Sequence, residues 1–182
     1  MASWVEFAAA EPVLASAVRA LLCQYGTGLG YLATVRPDGG PRVHPVAPVI
    51  TADGLFCFII RSPKRHDLDR DPRYALHAFP PEESDDEAYL AGRVWPVTDA
   101  RRLELLANTM GANPRADWKL YELSVDVAMV VRRGLTKPAS DPAARRVVWR
   151  DGGGEGAGGA QVQPLRPRQR NGPCAAAADS VQ

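Results

Sequence analysis

The chain has 182 residues, of which 46% are hydrophobic and 24% charged, with 22 Lys and Arg against 21 Asp and Glu, for a net charge of +1. That length suits one domain with a substantial core, and the near balance of charge argues against a general nucleic-acid-binding surface. Three scattered cysteines, Cys23, Cys57 and Cys174, form no metal-type pair and suit reduced thiols better than a disulfide framework, so no metal site is expected.

Ser3 and Glu6 have the spacing of a capping box, and Leu14, Ala17, Val18, Leu21, Leu22 and Tyr25 recur at helical period. This predicts one N-terminal helical segment. Glu6 and Glu11 interrupt any secretory leader pattern, and no apolar run approaches membrane-spanning length, so a cytoplasmic protein without membrane contacts is expected. Gly26 to Gly30 reads as a helix stop and flexible entry. It precedes a strand, whereas a phosphate-binding glycine loop joins a strand to a helix.

Tyr31 to Arg36, the turn Pro37-Asp38-Gly39-Gly40, and Arg42 to Ile50 then predict a β-hairpin, with Ala52-Asp53-Gly54 turning into a third strand over Leu55 to Ile60. Within the second strand the two-residue period puts Arg42, His44 and Val46 on one face.

Arg61-Ser62-Pro63-Lys64-Arg65-His66 sets cations where a helix begins, with Ser62 as N-cap and Pro63 as first helical residue. A helix N-terminus carries partial positive charge, so Lys64 and Arg65 are misplaced there unless an anion, such as a phosphate, accompanies them. A solvated surface helix is the plainer reading.

Asp71-Pro72 ends that helix, and strands follow over Tyr74 to Phe79 and Ala88 to Val97 around an acidic loop at Pro80 to Glu87. Thr98 to Met110 reads as a helix stopped by Gly111. Tyr121 to Arg133 reads as one alternating strand with Tyr121, Leu123, Val125, Val127, Met129 and Val131 on one face, and Arg145 to Arg150 as a final strand. Many strands with few helices predict a mainly β fold, an antiparallel β-barrel with flanking helices, occupying residues 1–150. From Asp151 the composition turns to Gly, Ala, Pro and Gln, which predicts a disordered tail over 151–182.

From about Gly30 to Arg133 the order of these pieces resembles the pyridoxamine 5'-phosphate oxidase-like, FMN-binding split β-barrel superfamily. The resemblance rests on Arg42-Val43-His44-Pro45-Val46, the strand ending Ile59-Ile60, Ser62-Pro63-Lys64-Arg65 opening a helix, Asp71-Pro72-Arg73, and Gly92-Arg93-Val94. It implies a homodimer with flavin sites at the subunit interface. Arg42 and Lys64 would hold the cofactor phosphate, Ser62 and the first helical amides would complete the cradle, and Arg65 would add a contact. Main-chain groups of Val43, His44, Pro45 and Val46 and of Ile59 and Ile60 would meet the ring system.

Pro63 stands where the vitamin B6 oxidases commonly carry another basic residue, and their C-terminal substrate region is missing. Small flavin or deazaflavin oxidoreductases are the nearer likeness. The implied activity is FMN-dependent redox chemistry on an unidentified small-molecule substrate, with deazaflavin coenzyme F420 as alternative cofactor, using Arg61, Arg65 and Arg73 as a basic exit path. A noncatalytic flavin- or haem-binding module is the competing reading. The cofactor ring supplies the hydride chemistry, so no catalytic side chain is assigned. His44, His77, Tyr89 and Arg93 are proton donors or substrate contacts only if they face the cavity, and Trp95 and Trp118 are packing residues or cavity lining.

Overall fold

In the computed structural model, which describes residues 1–82, 84–109, 117–132, 145–152 and 159–164, two short helices precede the sheet. The first, α1, covers Trp4–Ala10 and is opened by the capping box: Ser3 accepts from the Glu6 amide at 3.2 Å and Glu6 accepts from the Ser3 amide at 2.7 Å. The second, α2, covers Pro12–Leu22. The single helix expected here is broken because Pro12 has no N–H to continue the ladder and fits the first position of a new helix. Gly26 turns the chain with φ +94°, and a Cβ on Gly28 would stand 1.9 Å from the Pro48 carbonyl oxygen. The glycine segment is therefore a close-packed crossing, not the flexible entry its composition suggests.

The strands are β1 Gly30–Val35, β2 Pro41–Val46, β3 Pro48–Ile50, β4 Leu55–Ile59, β5 Arg73–Ala78, β6 Glu87–Pro96, β7 Lys119–Leu123, β8 Val127–Arg132, β9 Arg145–Arg150 and β10 Gln161–Pro164. Helix α3, Pro63–Arg70, joins β4 to β5, and α4, Ala100–Thr109, follows β6. Every pairing is antiparallel, in the order β10-β9-β8-β6-β5-β1-β2, with β7, β4 and β3 continuing from the far end of β6. The sheet curls into an open half-barrel because β6 serves two partners: Glu87 to Ala91 pairs β8, and Val94 to Pro96 pairs β7.

The main core lies between the N-terminal helices and the sheet. Phe7, Val18 and Leu22 from the N-terminal helices pack with Leu32, Leu76, Leu90, Ala128, Val130 and Trp149. Each of the Val, Leu and Phe side chains among them, taken fully out of water, contributes about 1.5–3 kcal/mol. A smaller cluster of Val49, Phe56, Leu106 and Leu120 seats α4 on β3, β4 and β7. Arg102 reinforces it, its guanidinium 4.7 Å from the Phe56 ring and 2.9 Å from Glu122. The cap of α4 is Asp99, whose Oδ1 accepts from the Arg102 amide at 2.8 Å, one residue beyond the Thr98 expected. Gly111, its expected stop, lies outside the described residues.

The long strand expected over Tyr121 to Arg133 is two strands. Between them Ser124 bonds Arg93 from both main-chain and side-chain atoms, and Val125 pairs with Ala2. The break shifts the alternation: Tyr121, Leu123, Val125 and Val131 of the expected face are buried, but so are Ala128 and Val130, while Val127 and Met129 are only partly covered. The tail also needs correction at one place. Gln161–Pro164, read from composition as disordered, pairs β9, and the Ala160 amide donates to Glu11 Oε1 at 2.9 Å. Edge pairing satisfies backbone groups whatever the side chains, so a weakly apolar segment can hold a strand there.

Candidate functional site

The seam between α3 and β2 holds two of the charged residues singled out in the sequence, Arg42 and Lys64. β1 and β2 pair with Thr34 opposite Arg42 and Leu32 opposite His44, so Arg42, His44 and Val46 face the side on which Leu32 and Thr34 are buried. Val43 and Pro45 project from the other face, and Val43 is 58% exposed.

Arg42 does not stand alone. Its Nε donates to Asp67 Oδ2 at 2.7 Å, and the Thr34 hydroxyl donates to the same oxygen at 2.9 Å. Asp67 is buried within α3, whereas 29% of the Arg42 side chain is open. Both Arg42 Nη nitrogens have no partner among the described residues, which leaves a planar two-nitrogen fork available to an anion. Lys64, one turn before Asp67 on the same helix, places Nζ 3.3 Å from the Pro45 carbonyl oxygen. Arg42 and Lys64 thus both bridge β2 and α3, Arg42 through Asp67 and Lys64 through the Pro45 carbonyl.

The start of α3 is incompletely capped. Ser62 occupies the cap position with extended backbone, but its hydroxyl bonds the Ile60 carbonyl at 2.9 Å and caps nothing; no acid lies in the first turn. Pro63 has no N–H and the Arg65 amide reaches Ser62 O at 3.0 Å, so Lys64 carries the free amide here. Ile59 is buried and ends β4, while Ile60 is 49% exposed beside this start.

Arg65 is committed elsewhere. Its Nη1 donates to the Asp117 carbonyl, and its Nε is buried without a partner. Next to Asp117, the Trp118 ring lies 5.7 Å from Phe58, and its Nε1 is also buried and unpartnered. His44 Nε2 is the third such atom. A polar group taken out of water without a bond costs about 1–3 kcal/mol.

Beneath the seam, burial pushes the Cys57 thiol up to about 12, against the weaker opposing pull of the Lys64 charge. Near Arg65, burial raises Asp69, but bonds from Lys119 and Tyr121, each 2.5 Å, outweigh it and hold that carboxyl below its usual range. The remaining proton-donor candidates do not converge. His77 pairs with Tyr31 and Tyr89, opposite in face to His44, and its Nδ1 is 2.7 Å from the Ala78 oxygen. His66 and Arg61 are exposed, and Trp95 is 38% exposed.

Sequence reading missed Asp67 and Thr34. Their signal was present: Asp67 is the acid one turn after Lys64, and the Pro37 to Gly40 turn sets Thr34 opposite Arg42.

The fold can be compared with solved structures. PhzG from Burkholderia lata 383, crystallised with tetrahydrophenazine-1-carboxylic acid, superposes with a TM-score of 0.57 at 17% identity, over 88% of this chain and 92% of that one. A pyridoxamine 5'-phosphate oxidase-related, FMN-binding protein from Nostoc punctiforme PCC 73102 does so with a TM-score of 0.56 at 14% identity, over 88% and 95%. The chain has the split-barrel fold of the pyridoxamine 5'-phosphate oxidase-like proteins. A haem-binding protein from Mycobacterium smegmatis has the same split barrel, with a TM-score of 0.50 and 22% identity over 64% of this chain; the match spans 53% of that longer protein. No protein-family model and no curated protein matches the sequence.

Proposed function

We propose that this split barrel is a cytoplasmic, homodimeric oxidoreductase that binds FMN through its phosphate at the α3–β2 seam and acts on a small-molecule substrate. The observation that carries the reading is that Arg42 and Lys64 both bridge β2 and α3, next to a helix start with no acid in its first turn and no side-chain cap. A phosphate there would take the free Nη pair of Arg42, the Lys64 ammonium and the Lys64 amide, a set of charge-assisted donors suited to a dianion. When bound, the flavin supplies hydride transfer through its own ring. The chain's part is to anchor and orient it, and His44, on the same face of β2 as Arg42 and with Nε2 buried and unpartnered, is the side chain there with an unused hydrogen-bonding group.

FMN is favoured over coenzyme F420 by a specific arrangement. Of the three arginines available to a longer acidic tail, Arg73 is held by Asp71 through Nε at 3.0 Å and Nη2 at 2.6 Å, and Arg65 is bonded to Asp117. Only Arg61 of the three lacks a side-chain partner among the described residues. The homodimer is supported by the outer face of β1 and β2, where Tyr31 and Val43 are 37% and 58% exposed and suited to burial against a second copy.

Haem is the second reading, because an unpartnered imidazole nitrogen on His44 is a possible iron ligand. Absorbance and mass spectra of the molecule released from purified protein, with titration of the stripped protein by FMN, F420 and haem, separate these readings. Flavin bands and tightest FMN binding are expected. A Soret band that vanishes in His44→Ala, or F420 binding tighter than FMN, would displace the proposal.

A further inference from the structure

The pairing of Arg42 with Asp67 joins a half-open cation to a buried anion. Asp67 is 2% exposed, its Oδ2 receives both the Arg42 Nε at 2.7 Å and the Thr34 hydroxyl at 2.9 Å, and it sits on α3 one turn after Lys64. A buried carboxylate is costly unless paired, so the fold has strong reason to hold Arg42 in place. Because the bond is made through Nε, the guanidinium plane is set from its inner edge and the outer two nitrogens stay free. The Thr34 hydroxyl in turn limits where the carboxylate can lie.

We propose that Asp67, steadied by Thr34, is a positioning residue for anion binding: it holds the free nitrogens of Arg42 in one orientation at the seam that Lys64 also bridges. This rests on the phosphate reading of the seam given above. It makes a counterintuitive prediction about charge. Replacing Asp67 by Asn removes a negative charge from a site meant for an anion, which by Coulomb's law alone would tighten binding. If orientation dominates, binding weakens instead, since the neutral amide oxygen of Asn holds the guanidinium less firmly than a carboxylate, a loosened guanidinium must be reordered each time the anion binds, and the added charge is partly screened at the solvent-open edge.

The test uses the full chain and two probes differing only in the phosphate, FMN and riboflavin, titrated into wild type, Asp67→Asn, Arg42→Ala and the double variant. Asp67→Asn is expected to weaken FMN about tenfold while leaving riboflavin unchanged, and to add little on top of Arg42→Ala. Equal loss for both probes, additive losses, or tighter FMN binding would each overturn the inference. If Arg42→Ala itself fails to distinguish FMN from riboflavin, the phosphate reading of the seam falls first. Thermal melting of the empty proteins reports folding. Should Asp67→Asn not fold, Thr34→Val, which removes only the supporting hydroxyl, carries the same test: a smaller, FMN-selective loss is expected, and no loss or an equal loss for both probes overturns it.

Discussion

Gly92 and Ser124 lie back to back where β6 exchanges β8 for β7: a Cβ on Gly92 would stand 2.4 Å from the Ser124 carbonyl oxygen. That carbonyl also accepts from the buried Tyr74 hydroxyl at 2.6 Å, and the Ser124 amide is bonded to Arg93 O at 2.8 Å, so the obstructing atom is backbone fixed from two sides. Gly92→Ala should therefore destabilise the fold by about 2 kcal/mol or more, at the severe end of overpacking. Urea denaturation with an unchanged slope and a lower midpoint would show it.

Arg42 and Lys64 should separate by their effect on the empty protein. Lys64→Ala is expected to weaken FMN by about 1.5–3 kcal/mol with stability preserved or slightly improved, since it removes a cation from a helix start. Arg42→Ala should weaken FMN comparably and in addition cost about 3 kcal/mol of stability, because it leaves the Asp67 carboxylate buried and unpaired. Melting curves without ligand, set beside FMN titrations, read the two effects apart.

Cys57 gives a pH dependence with a definite sign. Its folded thiol is held at about 12 by burial, above the ordinary value of 9.0, so the folded state keeps a proton that the unfolded chain releases. The contribution is intact below about pH 9 and is lost as pH rises towards 12, by about 1.4 kcal/mol for each unit in that window. Cys57→Ala should show a flatter decline in stability between pH 9 and 11. In the native protein Cys57 should also resist thiol reagents at neutral pH, reacting only on unfolding.

The end of the chain matters through β10. Removing residues 151–182 strips β10 from β9 and the Ala160 amide from Glu11, exposing a strand edge. That protein should melt lower than one ending after Pro164 and self-associate at high concentration. Light scattering and calorimetry on the two truncations compare them directly.

Much of the architecture follows from local rules that need no partner. The Ser3 and Glu6 capping box, the hairpin turn after Val35, the shared face of Arg42, His44 and Val46, and the start of α3 at Pro63 are set by spacing and backbone chemistry within a few residues. The split-barrel likeness rests on the same short-range pieces taken in order.

What tertiary structure decided are the contacts between segments distant in sequence. Alternation continues through Ser124 and Val125 on paper, and only the bonds from Arg93 and Ala2 break it and turn the next strand over. Composition places Gln161–Pro164 in a tail, and only the open edge of β9 makes it a strand. Lys64 and Arg65 are equivalent neighbours in the sequence, yet packing sends one to Pro45 and the other to Asp117. Asp67 reads as one more helix-surface acid until the fold buries it against Thr34 and Arg42; desolvation, which depends on everything packed around a group, then makes an ordinary carboxylate depend on its Arg42 partner.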